Sequence, residues 1–475
     1  MTARPQPDRT GPPDYETSLA YMFKLAGPMV VSTISLTVMQ FVDRFMVSRL
    51  GTDALAAVLP AGFVSFLPGG FAMGVLTSLN TFVSQSLGRG EKIDCSRYFW
   101  QALYMATAYC TLVLAIMWPS AHSIFVLLGQ PSAVVPMEVV YLRIMLLANF
   151  VAIVNWASNH FFMGIHRPVI IMCSSVCGQI ANVFANYVLI FGKLGLPAMG
   201  IAGAAWGTFI GMGVAASINL VVFLSGTIHE EFGSRRTLRP DLAAMRALLA
   251  VGVPAGIGLM TNVALWGVVL FALVGRFGKE AMAATSAVLS YTNLSTMPIV
   301  GISTALTAAV GKAIGAGRKD LAMRQTKGCL RIGLIYMGLV GACFLFLRDS
   351  LMVFWSKDPE VLAIGSQILI LAALYQMFHA ARIIYGGALR GAGDTTWLAI
   401  SSGIGAIGIL GIGGTLVVWI FPSLGAAGPW TLAAISIAAV GVANRWRFHS
   451  RRWMQIDLFR QRTVPGVISI EQPDG

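Results

Sequence analysis

The chain has 475 residues, of which 56% are hydrophobic and only 11% charged, with a formal net charge of +13 and a mean hydropathy of +0.74. A soluble domain carries about 25% charged residues, so this composition cannot cover a water-exposed surface, and it is far too apolar for a disordered chain. It describes a polytopic α-helical membrane protein.

In chain order, residues 1–20 are polar and proline-rich, and they read as a cytoplasmic tail without a cleavable signal. A spanning helix needs roughly 20 apolar residues. Breaks at charged, polar and Gly/Pro-rich segments leave twelve such runs, at 22–49, 54–83, 98–120, 133–158, 168–191, 199–225, 243–275, 281–311, 328–348, 360–387, 395–421 and 425–446. Residues 447–475 follow as a second tail. Of the basic residues, 24 fall on the side shared by both tails and the central loop, including Arg89, Arg167, Arg235, Arg236, Lys319, Arg390 and Arg447. Seven fall on the other side, and Arg143 and Arg382 lie within spans. The positive-inside bias then predicts a multi-pass protein of the plasma (inner) membrane with both termini cytoplasmic. It also accounts for the excess charge without nucleic acid.

The chain repeats itself. Segment 51–90 lies on 278–317, with Gly51 on Gly278, Gly74 on Gly301, Thr77 on Thr304, Val83 on Val310 and Gly88 on Gly315. Pro28 meets Pro254, Gly164 and Arg167 meet Gly387 and Arg390, and Pro197, Gly200 and Gly203 meet Pro422, Gly425 and Gly428. The predicted organisation is an amino-terminal six-helix bundle at 21–225, a linker at 226–242 and a carboxyl-terminal bundle at 243–446. An even number of helices per unit gives both copies the same orientation. Paired bundles of this kind are a transporter architecture, with a site between or within the halves.

Nothing in the sequence supplies ATP hydrolysis or a nucleophile elbow. Few ionisable residues lie at membrane depth, and each is a functional candidate. Asp43, in the first span, shares a face with Ser32, Leu36 and Gln40. A carboxylate taken out of water can carry a proton or bind a hard cation, and an ion pair with Arg44 or Arg49 is the alternative. In the fifth span Ser175, Gln179, Asn182 and Asn186 form one polar stripe, which either joins helices or completes a site around Asp43. Asn155 and Asn159 share a face of the fourth span and are candidate cavity residues. Glu138 lies near enough to that helix end to be solvated. In the second half the candidates are Asn262 and Trp266 in the seventh span, Asn293 with Ser286 and Ser290 in the eighth, and Tyr375, Gln376 and His379 with Arg382 in the tenth. Cys173 and Cys177 share a helix face without His or acid, which reads as buried packing rather than a metal site.

Gly27-Pro28, Val42-Asp43, Arg49-Leu50-Gly51, Val83-Ser84-Gln85, Gly88-Arg89-Gly90, Gly200 through Ala205 and Gly387 through Thr395 together resemble the MATE family of multidrug and toxic compound extrusion transporters, from about 20 to 450. The resemblance implies a V-shaped pair of six-helix bundles. It implies alternating-access export of amphipathic or cationic small molecules in exchange for protons or sodium, with no cofactor. It carries a cation-coupling role to Asp43, Asn182, Asn186 and Thr208, with sodium at Asp43 as the one metal to consider, and a helix-bending role to Pro28. It is closer to the NorM-like branch, but Asn262 and His379 stand where that branch has acids, which favours a coupling site in the first half and protons over sodium. A flippase or exporter for a lipid-linked or native metabolite is the alternative. A membrane enzyme would need several His or acids at one depth, whereas Asp43 and His379 lie in opposite halves. The internal repeat makes a monomer sufficient, with membrane lipid and small-molecule substrates as the partners.

Overall fold

The computed structural model describes residues 19–50, 52–132 and 134–459. Most of the amino-terminal tail, Gly51 and the end of the carboxyl-terminal tail lie outside the described residues. So do the side chains of Arg44 and Ala54 through Ala57.

Within that range the chain is helical, and twelve helices are long and apolar enough to cross a membrane. They are α1 (Leu19–Ser48), α2 (Thr52–Arg89), α3 (Lys92–Leu127), α4 (Val135–Gly164), α5 (Pro168–Phe191), α6 (Gly200–Phe223), α7 (Leu242–Phe277), α8 (Lys279–Gly315), α9 (Lys319–Phe346), α10 (Pro359–Gly391), α11 (Thr395–Ile420) and α12 (Ala427–His449). All twelve predicted runs are present, but several helices outrun their apolar windows at the central-loop end. There α2 continues to Arg89, and α9 starts at Lys319, so Arg324 and Lys327 are helical rather than in a loop. Helices need apolar side chains only at lipid depth. Beyond it the backbone ladder continues wherever propensity allows.

Local signals set the helix ends. Pro168 opens α5 and Gly192, in the left-handed region, closes it. The Asp241 carboxylate caps α7 by accepting from the N–H groups of Ala243 and Ala244. Asp241 also pairs with Arg97 on α3. Burial raises its pKa, but the two amide bonds and the Arg97 guanidinium outweigh this and hold it below the ordinary carboxylate value. The Trp100 indole N–H donates to the Ser234 carbonyl at 2.7 Å, so the central linker is docked on α3.

Packing between the halves follows the repeat. A Cβ at Gly74 on α2 would come within 2.6 Å of Gly256 Cα on α7, and one at Gly301 on α8 within 3.1 Å of Val30 N on α1. These two crossings are mates, since Gly74 and Gly301 are equivalent and Val30 and Gly256 each follow the matched prolines by two. Nearer the central loop, a Cβ on Gly88 would overlap the Lys312 carbonyl, and one on Gly315 would overlap the Gln85 carbonyl. Each partner precedes the other glycine by three, so the contacts exchange under a two-fold axis. Side chains reinforce this end. Thr81 Oγ1 donates to the Arg390 carbonyl at 2.8 Å and Gln85 Nε2 to the Gly391 carbonyl at 2.9 Å.

The apolar core shows the same asymmetry between ends. At the central-loop end one continuous core joins Leu79, Phe82 and Phe161 of the first half to Leu306, Ile384 and Leu389 of the second. At the far end it separates into a first-half cluster around Phe125 and Leu142 and a second-half cluster around Leu270, Leu369 and Trp430. The buried core is shared by the halves at one end and divided between them at the other, a V with its apex on the central-loop side.

Candidate functional site

The sequence places the polar stripe of α5 opposite Cys173 and Cys177, and packing decides what each face meets. The stripe faces α1 and α6. Cys173 and Cys177 are exposed on the far side of α5, which corrects their expected burial: the polar face has taken the protein interior.

Three contacts join α1 to the stripe. Ser32 Oγ donates to Ser175 Oγ at 2.9 Å. The Gln179 amide, oriented so that both of its atoms are satisfied, accepts from Leu36 N–H at 3.1 Å and donates to the Ser35 carbonyl at 3.2 Å. Asn186 Nδ2 donates to Asp43 Oδ1 at 2.6 Å and to Asn182 Oδ1 at 3.2 Å. Asn182 and Asn186 are buried, whereas Asp43 is half-buried. Among the described residues Asp43 has no basic partner, and the Arg49 guanidinium sits over the Phe45 ring instead.

The amides are held from behind by α6. A Cβ at Gly207 would overlap Asn186 Oδ1, and one at Gly211 would come within 2.6 Å of Asn182 Cβ. Asn186 Oδ1 and Asn182 Nδ2 are buried without a hydrogen-bond partner, leaving polar capacity beside Asp43. The Thr208 hydroxyl donates to the Ala204 carbonyl of its own helix at 3.1 Å. Chemically this is one carboxylate with a directed amide donor and neutral oxygens near it. Such a set suits a proton or a small hard cation.

Gly207→Ala is expected to lower stability by about 1–3 kcal/mol, because overpacking a tight helix crossing forces the backbone apart. It also pushes Asn186 off Asp43. Thermal unfolding in detergent reads the first effect. An unchanged melting temperature would show that α5 and α6 are looser than the geometry states.

The remaining candidates fall in several places. Asn155 and Asn159 both accept from Asn219 Nδ2, at 2.8 and 3.0 Å, joining α4 to α6. Asn219 has no sequence signal beyond lying in the sixth span. Gln40 and Asn293 are exposed. Trp266 packs against Trp430. Tyr375 lies in the second-half core, Gln376 Nε2 donates to Ser295 Oγ at 3.4 Å, and His379 Nε2 lies 3.3 Å from Thr296 Oγ1. These three bridge α10 to α8. Pro28 lies inside an uninterrupted α1. Glu138, expected in solvent, is 0% exposed with neither carboxylate oxygen partnered. Neighbouring side chains cover it even in the first turn of α4.

Asn262 alone of these lines a cavity of about 300 Å³ in the second half. Arg382 and Arg390 line it too. The sequence places Arg390 in a loop and Arg382 with Tyr375, Gln376 and His379 in the tenth span, without joining the two arginines. The signal was the spacing Arg382, Gly386, Arg390, which puts two cations on one helix face with a gap between them.

The MatE family model matches residues 28–188 and 254–417, two segments that follow the internal repeat. A probable multidrug resistance protein NorM of Chromobacterium violaceum is 31% identical over 452 residues, covering 90% of this chain and 94% of the relative. The multidrug resistance protein MdtK of Yersinia pestis is 27% identical over 456 residues, covering 91% and 95%. Among solved structures, the Vibrio cholerae MATE transporter VcmN superposes with a TM-score of 0.84 at 16% identity, covering 92% of this chain and 99% of that one. A MOP superfamily transporter from Pyrococcus furiosus gives 0.83 at 19%, covering 92% and 96%. At such identities the structural likeness carries the fold alone.

Proposed function

The chain belongs to the MatE family, and from that premise we propose that it is a secondary antiporter, exporting amphipathic small molecules in exchange for protons or sodium ions. Twelve apolar helices and bacterial multidrug resistance relatives make it a multi-pass inner-membrane protein. The observation that carries the proposal is Asp43, a half-buried carboxylate inside a span, without a basic partner among the described residues and held by the Asn186 amide.

The Asn186 N–H holds one carboxylate oxygen, and an arriving proton or sodium ion competes for that carboxylate. Either event changes what α1 can hold against α5. The two halves, 21–225 and 243–446, would then rock about the crossings at Gly74–Gly256 and Gly301–Val30. Pro28, which leaves one helical N–H bond unmade, is where α1 can bend. The basic side is the cytoplasmic side, so the closed apex faces the cytoplasm and the V opens outward. Both termini are then cytoplasmic, and a single chain contains the complete pathway.

The test is efflux of a fluorescent organic cation and of an organic anion from vesicles reconstituted with the full chain, under a proton gradient or a sodium gradient imposed separately. Efflux that follows one gradient and not the other identifies the ion. Movement at the protein-free rate under both gradients would overturn the antiporter proposal.

A further inference from the structure

The second-half cavity lies between α7, α8, α10, α11 and α12, with Gly74 and Thr77 of α2 on one side. Its wall carries two arginines, Arg382 and Arg390, and no acidic side chain. Asn262 and Asn444 add amides, and Leu259 and Val300 add apolar surface.

Arginines inside a bundle are ordinarily neutralised. Two others in this protein are. Arg447 Nε donates to Asp394 at 2.6 Å. Arg167, the first-half counterpart of Arg390 by the repeat, pairs with Glu231. Among the described residues neither Arg382 nor Arg390 has a carboxylate within ion-pair distance, and Arg382 Nε is buried without a hydrogen-bond partner. The two share a helix face, and a Cβ on the intervening Gly386 would lie 3.7 Å from Arg390 Nη2. Two guanidinium groups on one cavity wall repel each other unless a counter-charge sits between them. The nearby polar groups are neutral and partly committed. Asn444 accepts from Ser401 Oγ at 3.3 Å, and Ser303 Oγ donates to the Ile383 carbonyl at 2.9 Å.

We propose that this cavity binds the carboxylate or phosphate group of an amphipathic anion, with Arg382 and Arg390 as its counter-charges and the apolar wall holding the rest of the molecule. Planar guanidinium groups match both acids in two-point geometry. A volume of about 300 Å³ admits a small aromatic acid or a lipid headgroup. Only the further claim that the anion is cargo rests on the antiporter reading; binding stands apart from it.

The experiment is calorimetric titration of the purified full chain with salicylate, phenyl phosphate and, as a cation of similar size, benzyltrimethylammonium. Both anions are expected to bind and the cation is not. Arg382→Gln and Arg390→Gln should each weaken anion binding about tenfold or more, the loss of a charged hydrogen-bond partner. Should either variant fail to fold, Asn262→Asp adds a carboxylate to the same wall without removing an arginine, and it should weaken the anions comparably. Repeating the titration in nanodiscs of phosphatidylcholine, with and without phosphatidylglycerol, separates the sources. Competition by phosphatidylglycerol assigns the site to a lipid headgroup, and unchanged affinity assigns it to a soluble anion. Absence of anion binding, equal binding of the cation, or full anion affinity in the folded variants would overturn the proposal. Anion binding without gradient-driven efflux would instead overturn the antiporter reading and leave this one standing.

Discussion

Asp43→Asn is expected to reduce gradient-driven efflux to the protein-free rate while leaving the helices in place. The substitution keeps the side-chain shape and an oxygen able to accept from Asn186 Nδ2, which now lies 2.6 Å from Asp43 Oδ1. The buried amides Asn182 and Asn186 stay hydrogen-bonded to each other. What disappears is the charge. An amide neither takes up a proton at physiological pH nor offers a carboxylate to sodium, so the coupled half of the cycle has no carrier. The check is the reconstituted vesicle assay with each gradient in turn, together with a thermal melt to establish that the variant is folded. A folded variant that still pumps at the wild-type rate would remove Asp43 from the mechanism. Uncoupled downhill movement of substrate is expected to persist in the variant, because the cavity of the second half does not include Asp43.

Gly315→Val should open the end of the molecule that is closed here. A Cβ at Gly315 overlaps the backbone carbonyl of Gln85, which has no rotamer by which to escape. Overpacking of this kind costs about 1–3 kcal/mol. The penalty falls only on the conformation in which α2 and α8 cross at this point, so the equilibrium between conformations shifts about 5- to 150-fold toward the one in which they part. Gly88→Val, at the two-fold-related contact with Lys312, should act in the same direction. Hydrogen exchange followed by mass spectrometry should show faster exchange in residues 81–89 and 307–315 with little change around Phe125 and Trp430. Equal acceleration in every helix would mean general unfolding rather than opening. Unchanged exchange would mean that the closed contact is not the state occupied in solution.

Sequence alone determined the twelve spans, the two-fold repeat and the family, since each is written in one dimension: the length of apolar runs, the recurrence of glycines and prolines, and the local motifs. It also set which residues share a helix face, as with Ser175, Gln179, Asn182 and Asn186 on α5, because helical periodicity depends on nothing outside the helix. Tertiary structure decided which face meets which neighbour. Inside a bilayer the lipid and the protein interior are both apolar, so hydropathy does not fix the rotation of a spanning helix about its axis. Close packing and polar contacts fix it. That is why Asp43 meets Asn186 on α5, and why Cys173 and Cys177 turn outward. It is also why Arg390, paired in its first-half counterpart through Glu231, faces a cavity with Arg382 and no carboxylate on its wall.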